Sequence, residues 1–461
     1  RLVGSEMCIR DRGRHMLDTS AEELLGRMQG CAGGAWTDLR GYLTSFAHAP
    51  MNGKEYTLTQ LRGFIHSPDK ALRKAAFEAE LACSKSIEGG MAFALNGVKE
   101  HMNLMAELRG YGDVMTMTMA QCRMQPETLK ALWGAVEDAL PKFHAYLCRK
   151  ARVLGYEKGL PWYELCAGLG ESGQRFDTEG ARAYLVELLG AFAPDLGEMV
   201  DRAFREHWID FYPRPGKSGG AFCRNLSNQK QSRVLTNFEG NLDGVVTIAH
   251  ELGHAYHGHL IQDHRPLNRT YTMPVAETAS NFNETLVMNA AIARARGQEK
   301  LALLEQRLQD YTQVICDIYS RFLFEREVFE ERKGGFLFPE RLCRIMAETQ
   351  KTAYGPGLDP ACLHPYMWVN KVHYYYTTLS FYNFPYAFGA LLATGLYARY
   401  QKEGAPFVEK YRAFLRSTTV STVEEAAAVA GIDVTQKAFW AESLAMVAGQ
   451  IDEFLLMTED A

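Results

Sequence analysis

Apolar residues recur at spacings of three and four along most of the chain, which is the period of an amphipathic helix. The pattern predicts helices over residues 22–33, 37–49 and 58–67, and a long one over 69–110. Pro126 opens another that runs to Gly155, a proline at the start and a glycine at the end as helix termini favour. Residues 301–332 read as one long amphipathic helix closed by Gly334 and Gly335, and 436–457 as the last helix. Strand-like alternation is rare. Its two best stretches are 208–212 and 233–238, with a glycine-rich connection at 216–220 between them. The expectation is a mainly α protein with one small β-sheet just upstream of residue 250.

Composition narrows the class. The chain has 461 residues, 47% hydrophobic and 23% charged, as a globular protein with a large core does. Fifty basic against 55 acidic residues give a net charge of -5 with no long run of one sign. That balance argues against nucleic acid or an anionic membrane as the main partner. The ten cysteines are dispersed singly, as reduced thiols of a cytoplasmic protein would be. Residues 1–12 read as a non-native leader without the apolar run of a secretion signal. Residues 374–398 lack any Asp, Glu, Lys or Arg, yet their tyrosines and the Phe384-Pro385 step suit a buried wall better than a membrane span.

The chemistry is concentrated at His250-Glu251-Leu252-Gly253-His254. Two histidines four apart on a helix project from one face and can share one zinc ion, with Glu251 beside the open position. Asp243 is placed to cap this helix, and Gly253 to relieve crowding behind the metal. Catalytic zinc takes three protein ligands. Glu277, on a second helix opened by Pro274, completes a His, His, Glu set, and Glu284 on the same face suits an acceptor for a ligand imidazole. A third histidine ligand from the same segment would need Gly and His three and six residues after His254, where His257 and Leu260 stand. His257 is expected on a backbone carbonyl or the cleft wall, and His259 and His264 at the surface. Hydrolysis at a carbonyl builds negative charge on its oxygen, and donors for it are sought among His373, Tyr382 and Tyr386. Tyr374, Tyr375 and Tyr376 are read as packing residues.

Taken together, Gly219-Gly220-Ala221-Phe222, the segment 247–257, the Glu277 and Glu284 pair and Phe381 to Gly389 resemble the oligoendopeptidase F branch of the thimet oligopeptidase family of zinc peptidases. The resemblance implies a two-lobed helical zincin that cuts internal bonds of oligopeptides. It implies one Zn2+ per chain on His250, His254 and Glu277, Glu251 as base, and His373, Tyr382 and Tyr386 at the substrate carbonyl. It divides the chain into an N-terminal helical lobe over 13–160, with part of that lobe missing, and a catalytic domain over 161–461. Strand 233–238 is expected as an edge strand for substrate. The competing readings are a metallocarboxypeptidase, with Arg269 as its carboxylate clamp, and an impaired peptide-binding relative. Oligomeric state is not legible in the sequence.

Overall fold

The longest apolar repeat becomes the longest helix because its first turn is capped. The Asp69 carboxylate accepts the Ala71 and Leu72 amides, and 39 residues without a proline follow. The computed structural model describes residues 13–170 and 173–459, so the leader expected over 1–12 lies outside the described residues.

The N-terminal elements are α1 (Thr19–Met28), α2 (Gly33–Phe46), β1 (His48–Met51), β2 (Lys54–Thr57), α3 (Leu58–Gly63), α4 (Lys70–Leu108), α5 (Val114–Cys122) and α6 (Pro126–Val153). They are followed by α7 (Thr178–Phe192), α8 (Pro194–Arg205), β3 (Ile209–Asp210), β4 (Phe222–Leu226), β5 (Gln231–Leu235) and α9 (Leu242–Ile261). The remainder is α10 (Met273–Ala276), α11 (Thr278–Arg294), α12 (Gly297–Thr312), α13 (Ile318–Arg332), α14 (Pro339–Tyr354), α15 (Met367–Asn370), α16 (Phe384–Glu403), α17 (Pro406–Ser417), α18 (Val423–Val429) and α19 (Lys437–Met457). With 70% helix and 5% strand, this is the mainly α fold expected, its small sheet packed beside α9.

The departures from expectation are local. The hairpin β1–β2 turns at Asn52 and Gly53, both at positive φ, where glycine and asparagine are least strained. The second sheet has the order β3-β5-β4, so the strand expected at the edge is central and β4 takes the edge. The helix expected over 301–332 is interrupted by a π-helical turn at Gln313–Asp317.

One hydrophobic cluster runs from Phe77 to Phe454 and joins helices from both sides of residue 160. Ion pairs with almost no exposure cross it, Lys99 to Glu325 at 2.6 Å and Lys150 to Glu305 at 2.6 Å. A smaller cluster lies under the hairpin. Tyr374 and Tyr375 are fully buried, and no helix among the described residues is long and apolar enough to cross a membrane. The nine cysteines among the described residues are free thiols.

Helices α9 and α11 meet backbone to backbone at Gly253. A Cβ there would lie 2.5 Å from the Ala279 carbonyl oxygen and 2.6 Å from the Ser280 Cα. The crowding this glycine relieves is therefore that of α11, not of a metal. Gly253→Ala should destabilise the fold by about 1–3 kcal/mol, since two backbones must part. Gly89→Ala, on an exposed face of α4 with nothing within 4 Å, should stabilise slightly. Thermal melting of both variants checks this, and a Gly253→Ala protein that melts like the parent would contradict it.

Candidate active site

Helix α9 starts where Asn241 accepts the Gly244 amide at 2.9 Å. Asp243, expected as the cap, stands inside the first turn. There its carboxylate accepts from Gln306 Nε2 and favours the positive end of the helix dipole. Two turns later His250 and His254 project together, with ring centroids 4.9 Å apart and nearly perpendicular. Glu251, between them in sequence, is 5% exposed. Burial pushes its carboxyl up, and the two imidazoles only partly oppose that shift.

Glu277 sits at a break. The single helix expected from Pro274 to Glu284 ends at Ala276 and restarts at Thr278, with Glu277 as the joint. Two close approaches fix the joint, Gly253 against α11 and Gly389 of α16 against the Glu277 side chain. The Glu277 Oε2 atom then lies 3.3 Å from His250 Nε2 and 3.4 Å from His254 Nε2, and also accepts from Ser280 Oγ at 2.9 Å.

These separations fit a metal ion better than a hydrogen bond. An imidazole–carboxylate hydrogen bond closes to about 2.7–2.9 Å. Donors placed tetrahedrally at about 2.0–2.1 Å from zinc are about 3.3 Å apart. Among the described residues, this is the group of three such ligands whose donor atoms lie within 4.8 Å of one another. The electrostatics agree that the group wants a cation. Burial disfavours charge on both partners, yet His250 is pushed up to about 10 by Glu277 and Glu284, and Glu277 is held far below the carboxylate range by the two imidazoles.

The supporting contacts come from several elements. His250 Nδ1 donates to Glu284 Oε1 at 2.7 Å, the acceptor role foreseen for that glutamate, and Arg307 stands behind it at 3.9 Å. Asn283 donates to the Ala249 carbonyl, and Asn225 of β4 donates to the His254 carbonyl at 3.2 Å. Arg307, Asn283 and Asn225 carried no signal in the sequence, because each acts through a contact distant along the chain. His257 is fully buried, stacks on Tyr271 and meets the Leu415 carbonyl and the Thr418 hydroxyl. His259 and His264 are half-buried rather than on the surface, held by Gln262 and Thr419. Arg269 is occupied by the His264 carbonyl and Asn228.

The aromatic segment faces the same place. Tyr386 and Gly389 are three residues apart on α16, and Gly389 touches Glu277, so the Tyr386 phenol shares that face. Burial pushes this phenol up to about 12, with Tyr382 and Glu277 adding to the shift. His373 stacks on Tyr382 at 4.8 Å and lies 5.9 Å from Tyr386. Tyr376, read from sequence as packing, joins them at 5.1 Å from Tyr382.

The state of His373 follows from its neighbours. Buried Arg321 can only donate, and it donates to Asn383 Oδ1 at 3.2 Å. The same oxygen lies 3.0 Å from His373 Nδ1, so Nδ1 carries the proton. Burial pushes this imidazole down to about 4, leaving a neutral ring with its lone pair at Nε2.

Residues 192–446 match Peptidase family M3. The chain is 24% identical to Oligopeptidase PepF of Bacillus subtilis over 83% of its own length and 57% of that relative's. It is 26% identical to Group B oligopeptidase PepB of Streptococcus agalactiae, over 91% of this chain and 71% of the relative. The crystal structure of oligoendopeptidase-F from Enterococcus faecium superposes with a TM-score of 0.76 at 21% identity, over 98% of this chain and 77% of the other. The chain thus spans between about half and three quarters of the length of these proteins.

Glu277→Ala should leave less than a tenth of an equivalent of zinc on the dialysed protein, against about one for the parent. Glu284→Gln should weaken binding by about 10- to 100-fold, because it acts on a ligand imidazole and not on the metal. Metal analysis with competitive chelator titration checks both, and full zinc retention by Glu277→Ala would remove it from the ligand set.

Proposed function

Because the chain belongs to peptidase family M3, we propose that it is a cytoplasmic zinc-dependent oligoendopeptidase, with one ion on His250, His254 and Glu277. The observation that carries this reading is the spacing of the Glu277 oxygen from both imidazole nitrogens, 3.3 and 3.4 Å, with buried Glu251 next to them. A bound zinc would supply Lewis acidity toward water and the scissile carbonyl.

The chain's own groups account for the rest of the reaction. Glu251 takes the proton of the attacking water and delivers it to the leaving amine. Its raised carboxyl pKa suits both transfers, since a weaker acid is a stronger base. The Tyr382 and Tyr386 hydroxyls, kept protonated by burial, donate to the oxygen on which negative charge develops. Neutral His373 cannot donate from Nε2, so it accepts an N–H of the bound peptide. The outer edge of β4 offers backbone partners for an extended substrate, the role first assigned to strand 233–238. Folded proteins are excluded as substrates because an extended segment must reach the zinc, and unfolding costs about 5–15 kcal/mol.

Glu251→Gln should keep its zinc and lose kcat by roughly 10²- to 10⁴-fold, as removal of a base without loss of a ligand requires. Steady-state kinetics with metal analysis on the same preparation checks this, and loss of zinc would make Glu251 a ligand instead. A short peptide blocked at both ends should be cut internally. Mass spectrometry of the products decides it, since release of single terminal residues only from unblocked peptides would favour an exopeptidase.

A further inference from the structure

A second feature has a lining that contains none of the proposed metal ligands. An interior cavity of about 300 Å³ opens between α3, α4, the π-helical turn and α15, and none of the four residues assigned to zinc and base catalysis lines it. Its charged walls are Arg62, Glu80, Asp310, Asp317, Arg321 and Lys371. Several of these groups are matched. Arg321 is paired with Asp317 and donates to Asn383. Glu80 accepts from Asn370 and faces His364 Nε2 at 3.1 Å and Arg62 Nε at 3.6 Å.

Lys371 is different. Among the described residues its ammonium has no carboxylate within 4.0 Å and no hydrogen-bond acceptor. Enclosure pushes it down to about 7, and Arg321 and Arg62 add like-charge repulsion that Asp317 and Glu80 do not cancel. Half-buried Lys371 is thus a cation without a counter-charge beside it, which an entering anion can meet. The cavity is linked to the aromatic side of the site by chain and by contact. Lys371 precedes His373 by two residues, and Arg321 both lines the cavity and holds the Asn383 oxygen that orients His373.

We propose that Lys371, with Arg62 on the same cavity, forms a subsite for a carboxylate of the bound peptide, carried by its free C-terminus or by an acidic side chain. This rests on the peptidase reading for its ligand but not for its test. Lys371 is here a specificity residue that touches no reacting atom. A lysine suits the task because its flexible stem lets one point charge follow a ligand of variable length.

The experiment uses the full zinc-loaded chain and fluorescent peptides of one sequence in three forms: free C-terminal acid, C-terminal amide, and amide with one internal Gln changed to Glu at successive positions. Binding is read by anisotropy and cleavage by kcat and KM. The acid, or one of the Glu peptides, should bind roughly tenfold or more tightly than the neutral peptide, as a charge-assisted contact gives, with the gain in KM rather than kcat. Which form gains identifies the source of the carboxylate. Lys371→Met should bring the ratio to about one, and Lys371→Arg should retain most of it, with circular dichroism confirming that both variants are folded. Equal binding of all forms by the parent, or a preference that survives in Lys371→Met, would overturn the subsite. Discriminating binding without cleavage would support the subsite and overturn the peptidase reading.

Discussion

The site depends on one packing constraint, the contact of α9 and α11 without an intervening side chain at Gly253. Helix axes normally stand 8–10 Å apart because side chains separate them. Removing one lets the Ala279 carbonyl approach α9 at Gly253, the residue before His254. The break at Glu277 then swings a carboxylate across to the imidazoles, and Gly389 of α16 leaves room for it. A bulkier residue at either glycine would hold Glu277 away. The three proposed metal ligands are thus positioned by backbone contacts, which cannot adopt other rotamers.

The second constraint is electrostatic. Carboxylates of Glu251, Glu277 and Glu284 crowd around two imidazoles in a partly enclosed space, and Arg307 stands behind them. Glu277 and Glu284 push the His250 imidazole up to about 10 against the effect of its burial, which favours a proton there. A divalent ion at these donors would compete with that proton, so binding should release it. The aromatic side is arranged oppositely. It holds neutral groups whose charging burial opposes, and these are suited to give and accept hydrogen bonds without moving protons of their own.

The grouping of the candidate ligands was legible in the sequence because it is encoded at helical spacing. His250, Glu251 and His254 need only one helix, and Glu277 is near enough for a second helix to announce it. Helix α4 was likewise readable from its cap and its repeat. What escaped has physical reasons. Asn241 displaced Asp243 as the cap because both stand at plausible cap positions, and only the helix start distinguishes them. The hairpin at Asn52-Gly53 carried a turn signal, but its strands are too short for alternation to register. Strand β5 became central because β4 pairs with it from a segment without strand pattern. The tautomer of His373 depends on Asn383, ten residues on, and on Arg321, fifty-two residues away on α13, a relation no local pattern contains.

The central claim is that His250, His254 and Glu277 together hold one catalytic zinc while Glu251 stays free. Anomalous diffraction at the zinc edge on crystals of the zinc-loaded chain tests it most directly. A single peak is expected, bonded to His250 Nε2, His254 Nε2 and a Glu277 oxygen at about 2.0–2.2 Å, with Glu251 outside the coordination sphere. A peak elsewhere, or one bonded to Glu251 in place of Glu277, would contradict it.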